Sequence, residues 1–125
     1  MEMNRRKVLS AAGTAVVASQ LGVGQVWAQG GPLKLGMSMP QTGPLGAGGQ
    51  SALLALRMWI DDVNAKGGLL GRKVELTAYD DQSNGANTPG IYTKLLDVDK
   101  VDLLIAPYAT NVTAPIMPLV KERKK

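Results

Sequence analysis

Apolar and polar residues alternate over Leu33–Met39, with Leu33, Leu35 and Met37 on one side, and Pro40 ends the run, so a first strand is predicted there. Residues 41–49 form a long glycine-rich turn. From 50 to 66 the period changes: Leu53, Leu54, Leu56, Met58, Trp59, Ile60 and Val63 recur at helical spacing, while Arg57, Asp61, Asp62 and Lys66 take mostly the other side. Trp59 is expected in the core. Gly67 and Gly68 can close this helix through positive-φ backbone, with Leu69 or Leu70 folding back on its last turn. A second strand follows over 73–79, where Val74, Leu76 and Ala78 alternate with polar neighbours, and it gives way to Asp80-Asp81-Gln82-Ser83.

Thr88 can cap a second helix with Pro89 in its first turn, where a missing N–H costs nothing, and Ile91, Tyr92, Leu95 and Leu96 make its buried stripe. That helix ends before Lys100. Residues 101–106 hold the continuous apolar run Leu103-Leu104-Ile105, which suits a strand covered on both faces, and Pro107 closes it. A third helix is predicted from Thr110, kinked or weakened by Pro115 and Pro118. Three strand-then-helix units in succession predict an α/β fold with a parallel sheet and right-handed crossovers.

Ahead of the first strand, Asn4-Arg5-Arg6-Lys7-Val8-Leu9 has the form of a twin-arginine export signal, and Val26-Trp27-Ala28 has side chains that a signal peptidase accepts. Residues 1–28 are therefore expected to be an export signal cleaved after Ala28, which directs the rest to the periplasm. The apolar part of this leader is interrupted by Gly13, Thr14, Ser19, Gln20, Gly22 and Gly24, too polar for a spanning helix of about 20 apolar residues. A transmembrane protein is not expected.

Charge changes little in this picture. The formal net charge is +4, but seven of the 14 bases lie in the leader or crowd the C-terminus at Lys121, Arg123, Lys124 and Lys125. With Glu2 and Glu122 also set aside, the body keeps seven bases against eight acids, which argues against nucleic acid as a partner. The chain has no Cys and no His, so disulfides, thiolate nucleophiles, imidazole bases, the usual zinc spheres and a lipoprotein anchor are excluded. No metal site or cofactor is predicted. Asp61-Asp62 reads as solvated helix surface, since adjacent helical side chains diverge, and Asp80-Asp81 as loop structure or capping.

Gly46-Ala47-Gly48-Gly49 between a strand and a helix invites comparison with a dinucleotide fingerprint, with Asp80 or Asp81 as the ribose-binding acid. The spacing opposes it: residues 40–44 separate the strand from the glycines, and the acids stand more than the usual ~20 residues further on. A nucleotide-dependent enzyme is thus disfavoured.

Asn64-Ala65-Lys66-Gly67-Gly68-Leu69-Leu70-Gly71-Arg72-Lys73-Val74-Glu75-Leu76, with Tyr79-Asp80-Asp81-Gln82-Ser83 after it, resembles the segment that marks type I periplasmic solute-binding proteins of the leucine, isoleucine and valine class. Leu35-Gly36-Met37-Ser38-Met39-Pro40 with Thr42-Gly43-Pro44-Leu45-Gly46, and Tyr92-Thr93-Lys94-Leu95 with Lys100-Val101-Asp102-Leu103-Leu104-Ile105, are similar to the same family in the same order, over nearly all of 32–120. The resemblance implies a non-enzymatic binding component of an ATP-driven importer. Such a protein takes an amino acid or related small polar solute between two α/β lobes and presents the closed form to a membrane permease. The same fold also serves extracytoplasmic sensor modules. Whole members are far longer, so residues 29–125 correspond to an incomplete N-terminal lobe.

In an open parallel sheet, ligands bind beyond the C-terminal strand ends, here at the loops after strands one and three. The resemblance places a ligand-contacting hydroxyl at Thr110, with Thr113 one turn on and Tyr108, Ala109 and Asn111 completing that wall. Thr110 or Asn111 also fits as a helix cap. Gly43 and Gly48 belong to a facing wall that offers backbone groups. Family members often carry an aromatic residue late in the first loop; this sequence has Gly46-Ala47-Gly48-Gly49 there. Gly85, Pro89 and Gly90 also shorten the second helix relative to the family pattern.

Overall fold

A computed structural model describes residues 30–124; the export-signal residues Arg5, Arg6 and Ala28 lie outside the described residues. The elements are β1 (Leu33–Met39), α1 (Gly46–Ala65), β2 (Val74–Asp80), α2 (Thr88–Asp97), β3 (Leu103–Leu104), α3 (Thr110–Thr113), a 3-10 turn (Ala114–Ile116) and α4 (Met117–Arg123). The three strands form a parallel sheet in the order β2-β1-β3, and β1 pairs with β2 from Leu33 against Val74 to Met39 against Asp80. Chain direction explains the layering. The crossover from β1 to β2 runs one way along the sheet and that from β2 to β3 runs back over β1, so crossovers of one hand put α1 and α2 on opposite faces.

As the central strand, β1 is buried at every residue except Lys34. On one face Leu33 and Leu35 pack with Ile60 and Val74, and Met37 and Met39 with Leu53, so the alternating residues read from the sequence meet α1. On the other face β1 presents Gly36 and Ser38. The missing side chain of Gly36 is what admits α2: a Cβ there would stand 2.9 Å from the Val101 methyls and 3.0 Å from Leu95. Tyr92, Leu95, Val101 and Ile116 form the core on that side.

Several expectations need correction. The glycine-rich turn is shorter than residues 41–49, because α1 already begins at Gly46. A Cβ at Gly49 would collide with the Pro40 carbonyl and one at Gly46 would crowd the Gln41 carbonyl at 3.1 Å, so these glycines seat the helix under the end of β1. Trp59 is 44% exposed, since the sheet-facing stripe is Leu53, Leu56, Ile60 and Val63 and Trp59 lies beside it. Gly67 and Gly68 do close α1 at φ +102° and +84°, with Gly68 N–H donating to the Val63 carbonyl. Leu70, however, sits at the tip of a tight Leu69-to-Arg72 turn and is 85% exposed, not folded back on the helix.

The third strand is also less than the apolar run promised. Only Leu103 and Leu104 pair, and Leu103 is 52% exposed because, in the described sheet, β3 has a partner on one side only. The two prolines break the last helix into three short pieces: Pro115 lies in the 3-10 turn and Pro118 in the opening turn of α4. Among the described residues no helix is long and apolar enough to cross a membrane.

Candidate functional site

The loops 40–45, 81–87 and 105–109 all leave the C-terminal end of the sheet, and two aspartates hold the first two together. Asp80 accepts from the N–H of Gln41 (2.8 Å) and of Gln82 (2.8 Å), from the N–H of Thr42 (3.3 Å) and from the Thr42 hydroxyl (2.7 Å). Partial burial pushes the Asp80 carboxyl up, but these donors outweigh it and hold it below the usual carboxylate value. Asp81 is fully buried and accepts from the Ser38 hydroxyl (2.8 Å) and the Ser83 N–H (3.0 Å). Ser83 in turn donates its hydroxyl to the Thr42 carbonyl and accepts from the Leu45 N–H. Both carboxylates are thus consumed in fixing loops, as the sequence reading of Asp80-Asp81 expected, and no group of three or more metal-ligating side chains is present among the described residues.

Gly43, at φ +80°, lies against the Gln82 carbonyl and the Ser83 side chain, so it is packed toward the second loop. Gly48 is turned the other way. A Cβ on it would fall 2.6 Å from the Tyr108 hydroxyl and 3.1 Å from Cζ, so the Tyr108 ring reaches from the third loop onto the first turn of α1. Loops after β1 and β3 therefore meet through Gly48 and Tyr108, and Tyr108 remains 47% exposed.

The wall after β3 divides by direction. Ala109, in extended conformation, is the N-cap of α3, and no side chain caps the helix, so the capping role considered for Thr110 and Asn111 is not used. Both residues are exposed, and their side chains make no hydrogen bond with the described residues. The N–H groups of Val112 and Thr113 turn back to the Ala109 carbonyl, whereas those of Thr110 and Asn111 precede the first such bond. Thr113 faces inward. Its hydroxyl donates to the Ala109 carbonyl (2.8 Å), and it lines a cavity of about 140 Å³ with Tyr92, Ile105 and Met117. The backbone of Asn111 rests on Gly85, which joins the second loop to α3.

Sequence reasoning missed what lies beneath these loops. Tyr92, read only as part of an apolar stripe, is completely buried, and its hydroxyl accepts the Ser38 N–H at 3.4 Å and donates to the Ile105 carbonyl. Burial pushes this phenol up to about 12; hydrogen bonding with Ser38 opposes the rise and the nearby Asp81 carboxylate adds to it. The available signal was a tyrosine in a fully apolar stripe, whose hydroxyl must find a partner when buried.

With this geometry in view, comparison with known proteins is informative. Residues 32–125 match the family model described as periplasmic binding protein. A Leu/Ile/Val-binding protein of Rhizobium johnstonii is 28% identical over 90 residues, covering 72% of this chain and 24% of that protein. Among solved structures, the branched-chain amino acid transporter substrate binding protein of Streptococcus pneumoniae in complex with isoleucine superposes with a TM-score of 0.69 at 25% identity, covering 73% of this chain and 26% of that one. A putative branched-chain amino acid ABC transporter protein of Silicibacter pomeroyi gives 0.65 at 30% identity, covering 73% and 23%. The chain spans about a quarter of the length of these relatives. The family is one of binding proteins and not of enzymes, and the three-stranded parallel sheet is its α/β fold. On the match across 32–125, the chain belongs to the periplasmic binding protein family.

Proposed function

We propose that the chain supplies one ligand-facing wall of the substrate-binding component of an ATP-driven importer, acting in the periplasm on a branched-chain amino acid or a related small polar solute. The observation that carries this reading is the exposed polar edge of Thr110 and Asn111 just beyond the C-terminal end of β3, whose side chains make no hydrogen bond with the described residues, with Tyr108 two residues before it set against Gly48. A hydroxyl both donates and accepts, and N–H groups that precede the first bonded turn of a helix can receive a carboxylate, so this edge is suited to the polar end of an amino acid. The names of the relatives support the same class of solute. The leader with Arg5, Arg6 and Ala28 fits delivery to the periplasm, and a membrane permease is the partner that the family's importers would require. A wall on one lobe leaves its solute open to water, so the isolated chain is expected to bind weakly.

Thr110→Val keeps the shape of the side chain and removes its hydrogen bonding. In a full-length protein containing this lobe, calorimetry with L-leucine should show a loss of about 1–3 kcal/mol in binding. Unchanged affinity would remove Thr110 from the site.

A further inference from the structure

The two ligand-facing loops are separated by an interruption in the sheet that two residues produce. In the parallel pairing of β1 with β3, the Ile105 N–H donates to the Gly36 carbonyl at 2.8 Å. The next rungs of such a ladder would run from the Ser38 N–H to the Ile105 carbonyl and from the N–H of residue 107 to the Ser38 carbonyl. Neither forms. Residue 107 is a proline and has no N–H, and the Tyr92 hydroxyl stands between Ser38 and Ile105, accepting from one and donating to the other. A direct rung of about 2.9 Å is thus replaced by two hydrogen bonds in series. Beyond this point the chain departs from β1, carries Tyr108 out to Gly48 and enters α3 at Thr110.

We infer that Tyr92 is a positioning residue: its buried hydroxyl is a spacer that, with Pro107, ends the β1–β3 ladder early and sets the gap between the first turn of α1 at Gly48 and the start of α3 at Thr110. The surroundings fix it in that place. Ser38 and Tyr92 are both fully buried, Asp81 accepts from the Ser38 hydroxyl, and no buried side-chain polar atom among the described residues lacks a partner. The wedge is therefore a satisfied part of the core, and removing its oxygen leaves Ser38 N–H and Ile105 C=O free to meet directly. That the gap receives a solute rests on the function proposed above; that Tyr92 sets the gap does not.

The test uses the whole chain, labelled for NMR, and the variant Tyr92→Phe. In the wild type, nuclear Overhauser contacts should join the Tyr108 ring to the Gly48 α-protons. In Tyr92→Phe the Ser38 amide should exchange more slowly as it bonds Ile105, and the Tyr108–Gly48 contacts should weaken severalfold. Leu95→Val, a core change on the same helix face that spares the hydroxyl, should leave those contacts intact. Should Tyr92→Phe fail to fold, Pro107→Ala restores the missing donor, at the cost of a few buried ring atoms and with the Tyr92 hydroxyl left in place, and should weaken the same contacts. Loops that stay in place in whichever of these variants folds, or that move equally in Leu95→Val, overturn the spacer. A separate titration with L-leucine distinguishes the two readings. If the wild-type Thr110 and Gly48 amides do not respond, the ligand site fails while the loop contacts still decide the role of Tyr92. If they respond, Tyr92→Phe should weaken that response at least threefold, and an unchanged response would overturn the spacer.

Discussion

Replacing Asp81 by alanine should be among the most damaging single changes in this chain. The carboxylate is fully buried and serves two donors, the Ser38 hydroxyl on the central strand and the Ser83 N–H in the loop after β2. A buried donor left without a partner costs about 1–3 kcal/mol, with the lower end suited to Ser83, which is only partly buried. The two together come to about 2–4 kcal/mol, a large part of the ~5–15 kcal/mol that stabilises an ordinary domain. With a urea dependence of about 1–3 kcal/mol per molar, the denaturation midpoint followed by circular dichroism should fall by roughly 1–3 M. Asp81→Asn keeps one acceptor oxygen and should fall between wild type and Asp81→Ala. If Asp81→Ala melts at the wild-type midpoint, the carboxylate is not holding the loop and the structural account of the Asp80-Asp81 pair is wrong.

Adjacent glycines should respond in opposite ways. Gly49→Ala drives a methyl into the Pro40 carbonyl, which is backbone and cannot yield, and should cost about 3 kcal/mol; Gly48→Ala meets only the mobile end of Tyr108, and the helix propensity it gains, about 1 kcal/mol, should leave its melt near that of wild type. Asp80, whose carboxyl is held low in the folded chain, contributes stability that is complete above its unfolded value near pH ~4 and is lost as pH falls through the lower folded value. Acid titrations of Asp80→Asn should therefore show a shallower loss of stability below about pH 4 than wild type, and identical slopes would dismiss the Asp80 hydrogen-bond set as the cause. The half-exposed Leu103 lies on β3, whose outer edge has no partner strand among the described residues and can pair with another copy, so the wild-type chain should associate with rising concentration in sedimentation and Leu103→Lys should suppress it; equal association of the two would place the contact elsewhere.

Where a local rule and the global packing agree, the sequence was legible. The alternation of Leu33, Leu35 and Met37 identified β1 to the residue, and the Gly67-Gly68 stop put the end of α1 within one residue of where it lies. Boundaries failed where tertiary contacts override local signals. A glycine run reads as a loop because glycine disfavours helix, but Gly46 and Gly49 are in α1 because the helix must pass under the Pro40 and Gln41 carbonyls at the end of β1. The apolar run at 103–105 reads as a buried strand, yet pairing stops at Leu104, since a proline two residues past Ile105 and a tyrosine on another element deny it the next rungs. A sequence window around residue 105 contains only the proline.

The candidate site shows the same division. Thr110 is singled out by the family resemblance, and its hydroxyl makes no hydrogen bond with the described residues; Thr113, one turn on, is part-buried, lines the cavity beside Tyr92 and spends its hydroxyl on the Ala109 carbonyl. The two differ in their place within the single turn of α3: Thr110 opens it and is exposed, whereas Thr113 closes it beside Tyr92 and Met117. Gly48 was read as backbone held open for close approach of a solute. What approaches it is the chain itself: the Tyr108 ring occupies the volume that a side chain at 48 would need. An aromatic ring therefore does stand at the first loop, brought there from the end of β3 across more than half of the described sequence. Such an exchange is invisible to a reading that treats each loop by itself. Glycine at 48 and tyrosine at 108 each look like an unremarkable choice, and only the parallel arrangement of β1 beside β3 makes the small residue and the large one a matched pair.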